Sequence, residues 1–133
     1  MHSPLPLPVT LLTACLLSLV YVVLFARVVG ARIRLRISLG DGGNPDMLAR
    51  IRAHANFIEY VPLILILMLI LETSKANPLV LMVAGAVLVV CRVLHAFGLP
   101  QQAPNILRVI GAAGTTLVLA ALAISGLILV FTA

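Results

Sequence analysis

Four long apolar runs constrain this chain more than any other feature of its sequence. They cover residues 8–29, 48–71, 79–97 and 106–131. Each is close to the roughly 20 residues that a helix needs to cross a hydrocarbon core about 30 Å thick. A strand would need polar and apolar residues in alternation, and these runs have no such pattern. The runs therefore predict an all-α integral membrane protein, with four transmembrane helices in an up-and-down bundle.

The composition agrees with this class of protein. Hydrophobic residues make up 62% of the 133 residues and charged residues 10%, and the mean hydropathy of +1.22 is far above that of soluble domains. The only sizeable connection is 30–47, so we predict one membrane domain over 1–133. Pro62 lies inside a run and is expected to bend the second helix. The other prolines lie before or between the runs, at Pro4, Pro6, Pro8, Pro45, Pro78, Pro100 and Pro104.

The first run is expected to be an uncleaved membrane anchor. The letters LTAC at residues 12–15 loosely resemble a bacterial lipoprotein cleavage box. However, no basic segment precedes the run, and cleavage at Cys15 would split it. Cys15 and Cys91 lie in separate predicted spans, which gives neither a disulfide framework nor a metal-binding spacing. We interpret both as packing residues and predict no metal site.

Arginine placement predicts the orientation in the membrane. Arginines are concentrated around the first connection, and Arg92 and Arg108 flank the third. The second connection has only Glu72 and Lys75. By the positive-inside tendency, connections one and three face the cytoplasm and both termini face the opposite side. The ladder RIRLRI at residues 32–37 is then interpreted as a contact with anionic membrane lipids, and no nucleic-acid partner is predicted.

A polar stripe lies along the second predicted helix. Arg52, Asn56 and Glu59 are spaced i, i+4 and i+7, so they share one face over about two turns. A carboxylate inside hydrocarbon is costly unless it faces a partner or a water-filled cavity. We therefore expect this stripe to face other helices, where an arginine near the same membrane boundary pairs with the Glu59 carboxylate. The candidates are Arg27, Arg92 and Arg108.

These residues predict a polar pocket at the cytoplasmic ends of the helices. It combines several guanidinium groups with one carboxylate and one amide, and His95 and Asn105 are placed to contribute. Guanidinium groups bind carboxylates through paired hydrogen bonds, and a carboxylate binds an ammonium group. The pocket therefore suits a small zwitterionic ligand with more carboxylates than amines.

Structural roles remain open for the same side chains. The arginines are compatible with boundary charges, Glu59 with a structural ion pair, Tyr60 with an interfacial anchor, and Asn56 and His95 with hydrogen bonding between helices. Small residues of the fourth run are assigned to close helix packing rather than to chemistry: Gly111, Gly114 and Thr115.

The segment RAHANFIEYVP, residues 52–62, resembles the second-helix signature of MAPEG proteins, the membrane-associated proteins in eicosanoid and glutathione metabolism. In that signature an arginine, an asparagine, a glutamate and often a tyrosine precede a proline at this spacing. The arginine-rich first connection and the segment CRVLHAFGLPQQAPNILRVIG, residues 91–111, extend the resemblance over nearly the whole chain. Residues 91–111 resemble the bacterial branch of the family in particular.

The resemblance implies a homotrimer that binds glutathione, as co-substrate, between neighbouring subunits near the cytoplasmic face. Arg52, Asn56, Glu59 and Tyr60 match the glutathione contacts of the family, with Glu59 near the peptide's amino group. Either Arg27 or Arg32 matches an arginine of the first helix that contacts a glutathione carboxylate. His95 is included among the candidate glutathione contacts.

Arg108 matches the arginine with which certain leukotriene-forming synthases stabilise the thiolate, and it is our candidate catalytic residue. The chain departs from the family pattern at Ala55, where some members have a further arginine. It also has His95 and Leu99 where the leukotriene-forming enzymes have tyrosines.

The resulting prediction is a glutathione-dependent transferase or peroxidase of the bacterial inner membrane. It would stabilise the glutathione thiolate for attack on an apolar electrophile or a lipid hydroperoxide that enters from the bilayer. Two alternatives remain open. One is a non-catalytic scaffold or lipid-binding protein of the same fold, and the other is a four-span transporter that uses Glu59 as a coupling carboxylate.

Overall fold

The computed structural model describes residues 5–98 and 105–132. It contains four α-helices that are all long and apolar enough to cross a membrane. The predicted all-α, four-helix membrane architecture is therefore confirmed. The helices are α1 (Pro8–Leu35), α2 (Pro45–Thr73), α3 (Pro78–Gly98) and α4 (Ile106–Thr132).

The first two helices are longer than the predicted spans. α1 has 28 residues and α2 has 29, which corresponds to about 42 Å at about 1.5 Å per residue. A hydrocarbon core is only about 30 Å thick. Both helices are therefore longer than an untilted span requires.

Proline and asparagine define where the helices begin. α1, α2 and α3 each begin at a proline, whose missing N–H is not needed in a first helical turn. α2 continues through Pro62, while Pro4, Pro100 and Pro104 lie outside the described residues. Three asparagine side chains accept a hydrogen bond from a backbone N–H of the first turn: Asn44 from Met47 at 3.0 Å, Asn77 from Leu79 at 2.9 Å and Asn105 from Leu107 at 2.9 Å.

The N-terminus of α1 is capped by a side chain from another helix. Leu7, at its N-cap position, provides no side-chain hydrogen bond. Instead, the Glu72 carboxylate of α2 accepts hydrogen bonds from the N–H groups of Val9 at 2.9 Å and Thr10 at 2.8 Å. The helix dipole favours a carboxylate at this position. The end of α2 therefore lies against the start of α1, and the two helices are antiparallel.

Removal of this cap is expected to destabilise the bundle. Glu72→Ala leaves two backbone N–H groups without an acceptor, and each unsatisfied group costs about 1–3 kcal/mol. We expect a lower Tm when unfolding in detergent is followed by circular dichroism, with Glu72→Gln between the alanine variant and the wild type. Thr73→Ala is the control, because the Thr73 hydroxyl bonds only carbonyls of its own helix. Equal Tm values for Glu72→Ala and Thr73→Ala would contradict the capping role.

The four helices form a ring rather than a row. α1 packs against α2 and α3, and α4 packs against the same two helices. Within the described residues α1 and α4 do not meet, whereas α2 and α3 touch across the middle. Every helix contributes to the apolar core along the bundle axis, where these side chains are at most 1% exposed: Leu17, Ile64, Met68, Leu88 and Leu122.

α3 and α4 approach each other closely at two glycines of α4. A Cβ atom on Gly111 would lie 2.6 Å from the Cys91 carbonyl oxygen and 2.8 Å from the His95 backbone nitrogen, and one on Gly114 would meet the Cys91 sulfur. The Thr115 hydroxyl donates to the Gly111 carbonyl at 2.7 Å. The assignment of these small residues, and of Cys91, to helix packing is confirmed.

Cys15 differs from this expectation, because it is exposed on α1. The contact face of α1 is formed by other positions, and Cys15 is on the opposite side of the helix. Its interpretation as a packing residue is therefore wrong for the single chain. The residues of α1 that are buried are Thr10, Thr13, Leu17, Leu24 and Ala31.

Among the described residues, no group of three or more His, Cys, Asp or Glu side chains is able to hold a metal ion.

Candidate functional site

The three arginines that were expected to converge lie at one end of the bundle. Arg27 Nη1 on α1 donates to the Ala96 carbonyl of α3 at 2.7 Å. Arg92 Nη1 on α3 donates to Asn56 Oδ1 of α2 at 3.0 Å. Arg108 is in the first turn of α4, whose backbone packs against the last residue of α3. The ends of α1 and α3 therefore meet the beginnings of α2 and α4, and we call this the polar end.

Several arginines of the first connection hold that connection together. Arg34 and Arg50 both pair with the Asp46 carboxylate, at 3.0 and 3.1 Å. Arg32 donates to two backbone carbonyls of the connection, at 3.0 and 3.4 Å. Arg32 therefore bonds within the connection, whereas the half-buried Arg27 reaches α3 and is the first-helix candidate that lies among the helices of the polar end.

The polar stripe of α2 faces outward from the single chain. Arg52 and Glu59 are exposed, and Asn56 is half-buried. The inward face of the same helix is occupied by an apolar set, and among the stripe residues only Asn56 contacts a buried polar side chain, that of Arg92. That apolar set includes Phe57, Val61, Ile64, Met68 and Leu71.

Glu59 has no hydrogen-bond or ion-pair partner in the part of the chain that the structure describes. Both ion pairs found there involve Asp46. Within one chain, the expectation that Arg27, Arg92 or Arg108 forms an ion pair with Glu59 is therefore wrong. The physical reason is that Arg27 and Arg92 are held by oxygen atoms of neighbouring helices, whereas Glu59 lies on the outward face of α2.

Arg92 is a buried charge whose importance the sequence did not reveal. Its side chain is only 2% exposed. Besides the Asn56 side chain, Nη1 reaches the Asn56 carbonyl at 3.4 Å, while Nε and Nη2 have no partner among the described residues. A buried guanidinium without a carboxylate is costly, and such unsatisfied groups in a folded protein call for an explanation. Sequence analysis named Arg92 as a candidate partner of Glu59 and missed its contact with Asn56, because that contact joins two different helices.

Tyr60 and His95 lie on different sides of the polar end. Tyr60 is half-buried, follows Glu59 on α2 and packs against the apolar core. His95 is 6% exposed and lies between α3 and α4, within electrostatic reach of Arg92 and Arg108. His95 therefore lines the inner side of the polar end and is not part of the outward stripe. Leu99, the other departure from the family pattern, lies outside the described residues.

Two apolar grooves lie along the seam between α1 and α3. The larger, of about 630 Å³, is lined by residues near the beginning of both helices, including Val9 and Met82. The smaller, of about 400 Å³, includes Arg27 in its lining and therefore reaches the polar end. Apolar pockets with a few polar groups are typical binding sites for small molecules.

Comparison with known proteins gives one family and two similar bacterial proteins. The model of the MAPEG family matches residues 10–128. Two proteins described as inner membrane protein YecN, from Escherichia coli strain K12 and strain O6:H1, are each 37% identical to the chain over 71 residues. The alignment covers 53% of this chain and 54% of each relative, so the chain spans about half the length of the curated relatives it matches. No solved structure gives a significant match.

Proposed function

Because the chain belongs to the MAPEG family, we propose that it is a glutathione-dependent transferase or peroxidase that works as a homotrimer. The outward stripe of α2 carries this proposal. Arg52 and Glu59 are exposed on a membrane-crossing helix, and neither has a partner among the described residues. Charges in that position normally face a protein interior or a water-filled cavity. A second copy of the chain against the stripe provides such a cavity, and glutathione occupies it.

The side chains of the stripe complement the charged groups of glutathione. The Arg52 guanidinium binds a carboxylate of the peptide through paired hydrogen bonds, and the Glu59 carboxylate binds its ammonium group. Asn56 and Tyr60 add neutral hydrogen bonds between and beside these two charges. Arg27, at the end of α1, binds the second carboxylate from the adjoining helix. In this assignment Arg27 and Arg52 bind the two carboxylates of the peptide, and Glu59 binds its one amine.

The proposed chemistry depends on the thiolate form of glutathione. The thiol has a reference pKa near 8.5, and each unit by which it is lowered requires about 1.4 kcal/mol of preferential thiolate stabilisation. The Arg108 guanidinium provides this stabilisation from the first turn of α4. In conjugation, the thiolate forms a carbon–sulfur bond with the electrophile and the leaving group departs with the bonding electrons.

Peroxide reduction uses the same thiolate. It attacks one peroxide oxygen, the O–O bond breaks, and the released alkoxide takes a proton to become an alcohol. The glutathione sulfenic acid that remains reacts with a second glutathione to give glutathione disulfide and water. Neither route requires a cysteine of the protein or a metal ion.

The membrane supplies the apolar substrate in this proposal. The groove that includes Arg27 connects the bilayer side of the α1–α3 seam with the polar end. The relatives are described as inner membrane proteins, and we place this chain in the same membrane. With connections one and three in the cytoplasm, the glutathione site faces the compartment that maintains a reduced glutathione pool.

A non-catalytic member of the family is the second candidate function. His95 favours it, because this side chain replaces a tyrosine of the leukotriene-forming enzymes and is buried between α3 and α4. Such a protein would bind glutathione or lipid at the same stripe without altering the thiol. The two candidates therefore differ in thiolate formation rather than in binding.

A thiolate-absorbance titration of glutathione with the purified protein in detergent tests the proposal. We expect a thiolate signal near neutral pH in the wild type. In Arg108→Ala the apparent pKa of bound glutathione should rise by about one unit, which corresponds to about 1.4 kcal/mol. Arg34→Ala is the control, because it removes an exposed arginine at the same end whose partner is Asp46. A wild type that binds glutathione without a thiolate signal would favour the non-catalytic function.

A further inference from the structure

The contact between Arg92 and Asn56 determines which way the Asn56 side chain points. An arginine side chain has five N–H donors and no acceptor. The atom of Asn56 that lies 3.0 Å from Arg92 Nη1 is therefore the carboxamide oxygen. The NH2 group of the same carboxamide then lies on the other side, toward the half-exposed surface of α2.

We propose that Arg92 is a positioning residue that locks the Asn56 carboxamide, so that its NH2 group is the donor presented to the ligand. The ligand atom bound there is consequently an acceptor, either a carbonyl or a carboxylate oxygen. The identity of this ligand as glutathione rests on the proposed function, whereas the orientation of the carboxamide rests on the contact alone.

Burial of Arg92 fixes the orientation of the Asn56 carboxamide. Arg92 is 2% exposed, and its Nη1 also lies 3.4 Å from the Asn56 carbonyl, so a single donor bridges two oxygens of one residue. A reversed carboxamide would place its N–H donors against those of Arg92 and leave the more distant Asn56 carbonyl, at 3.4 Å, as the remaining acceptor for Nη1. The lost hydrogen bond and the strong interaction of charges at low dielectric both disfavour that state.

This orientation gives the outward stripe a defined order of hydrogen-bonding groups. From Arg52 through Asn56 to Glu59 the order is donor, donor, acceptor over about 10 Å of helix. A ligand that fits presents acceptor oxygens to the first two positions and an N–H donor to the third. Asn56 thereby selects against a ligand that has a donor at the central position, because two donors would then face each other.

The Asn56→Asp variant is expected to weaken ligand binding without lowering the stability of the fold. The aspartate has the shape of asparagine but no donor, and its carboxylate forms an ion pair with the buried Arg92. We expect the Tm to stay the same or rise, because the uncompensated charge gains a partner. We also expect glutathione affinity, measured by isothermal titration calorimetry, to fall about tenfold or more. A residue with only a structural role would not weaken binding while the fold became more stable.

Variants of Arg92 test whether this residue affects ligand binding through Asn56. Arg92→Met removes the donors at similar length, so the carboxamide is free to turn, and glutathione binding should weaken with little change in Tm. Arg92→Lys retains a donor and should recover most of the affinity. Because Arg92 acts through Asn56, the loss of affinity in Arg92→Met together with Asn56→Ala should not exceed the loss in Asn56→Ala alone.

The outcomes distinguish this inference from the proposed function. Additive losses in the double variant, wild-type affinity in Asn56→Asp, or a marked fall in the Tm of Asn56→Asp would each overturn the positioning role. If the wild type does not bind glutathione and Asn56→Asp is more stable, the orientation of the carboxamide is supported and the proposed function is wrong.

Discussion

Replacement of Glu59 by glutamine is expected to weaken glutathione binding by ten- to a hundredfold. The side chain keeps its size but loses the charge that binds the ammonium group of the peptide. A hydrogen bond to a charged group contributes about 1.5–3 kcal/mol, which corresponds to this range of affinity. Arg52→Ala should have an effect of similar size, because it removes the partner of a glutathione carboxylate. Isothermal titration calorimetry in detergent measures both losses.

The chain contains a matched control for this experiment. Glu72 is also a glutamate of α2, but it lies in the last turn of the helix and caps α1. Glu72→Gln should leave the affinity for glutathione unchanged and lower the Tm. Glu59→Gln should weaken glutathione binding and leave the Tm unchanged, since Glu59 has no partner among the described residues. Wild-type affinity in both Glu59→Gln and Arg52→Ala would remove the stripe from the site.

The helices themselves were predictable because membrane insertion imposes a simple requirement. Each span must be long and continuously apolar, and each run that satisfies this condition became a helix. Prolines and asparagines fixed several of the beginnings, as at Asn44 and Pro45. The ends were less well predicted, because α1 continues to Leu35 on polar residues that extend beyond the apolar run.

The direction of the polar stripe was not predictable from spacing. The spacing of Arg52, Asn56 and Glu59 shows that they share a face, but it does not show which helix, or which copy of the chain, that face meets. We expected Glu59 to face other helices and to pair with an arginine there, because a lone membrane carboxylate is costly. The ring arrangement of the helices instead directs Glu59 outward.

Contacts between distant parts of the sequence were also missed. Glu72 and Val9 are separated by 63 residues, and Arg92 and Asn56 by 36. Each pair joins two helices whose rotation about their axes is set by apolar packing, and no local pattern encodes that rotation. Sequence reasoning therefore proposed the chemical groups of a candidate site, but only the fold showed that Arg92 contacts Asn56.

Gly111→Leu is expected to disrupt the packing of α3 against α4 and to have the largest effect on stability of any change considered. The first side-chain carbon would lie 2.6 Å from the Cys91 carbonyl oxygen and 2.8 Å from the His95 nitrogen. These are backbone atoms of a helix, so the two helices must separate. Overpacking commonly costs about 1–3 kcal/mol and sometimes more, and leucine at a backbone contact belongs at the upper end. Because the chain has no tryptophan, circular dichroism is the suitable probe of unfolding.

Gly126→Leu makes the same substitution in the same helix at a position where a Cβ atom would meet nothing within 4 Å. Its Tm should equal or exceed that of the wild type, because glycine is a poorer helix former by about 1 kcal/mol. The two variants also differ in their expected effect on function, since the contact at Gly111 holds α4, whose first turn carries Arg108, against the part of α3 that carries Arg92 and His95. Thiolate formation should therefore be lost in Gly111→Leu and kept in Gly126→Leu. Equal stability of the two variants would mean that α3 and α4 do not depend on this close approach, and the position of Arg108 would then need another support.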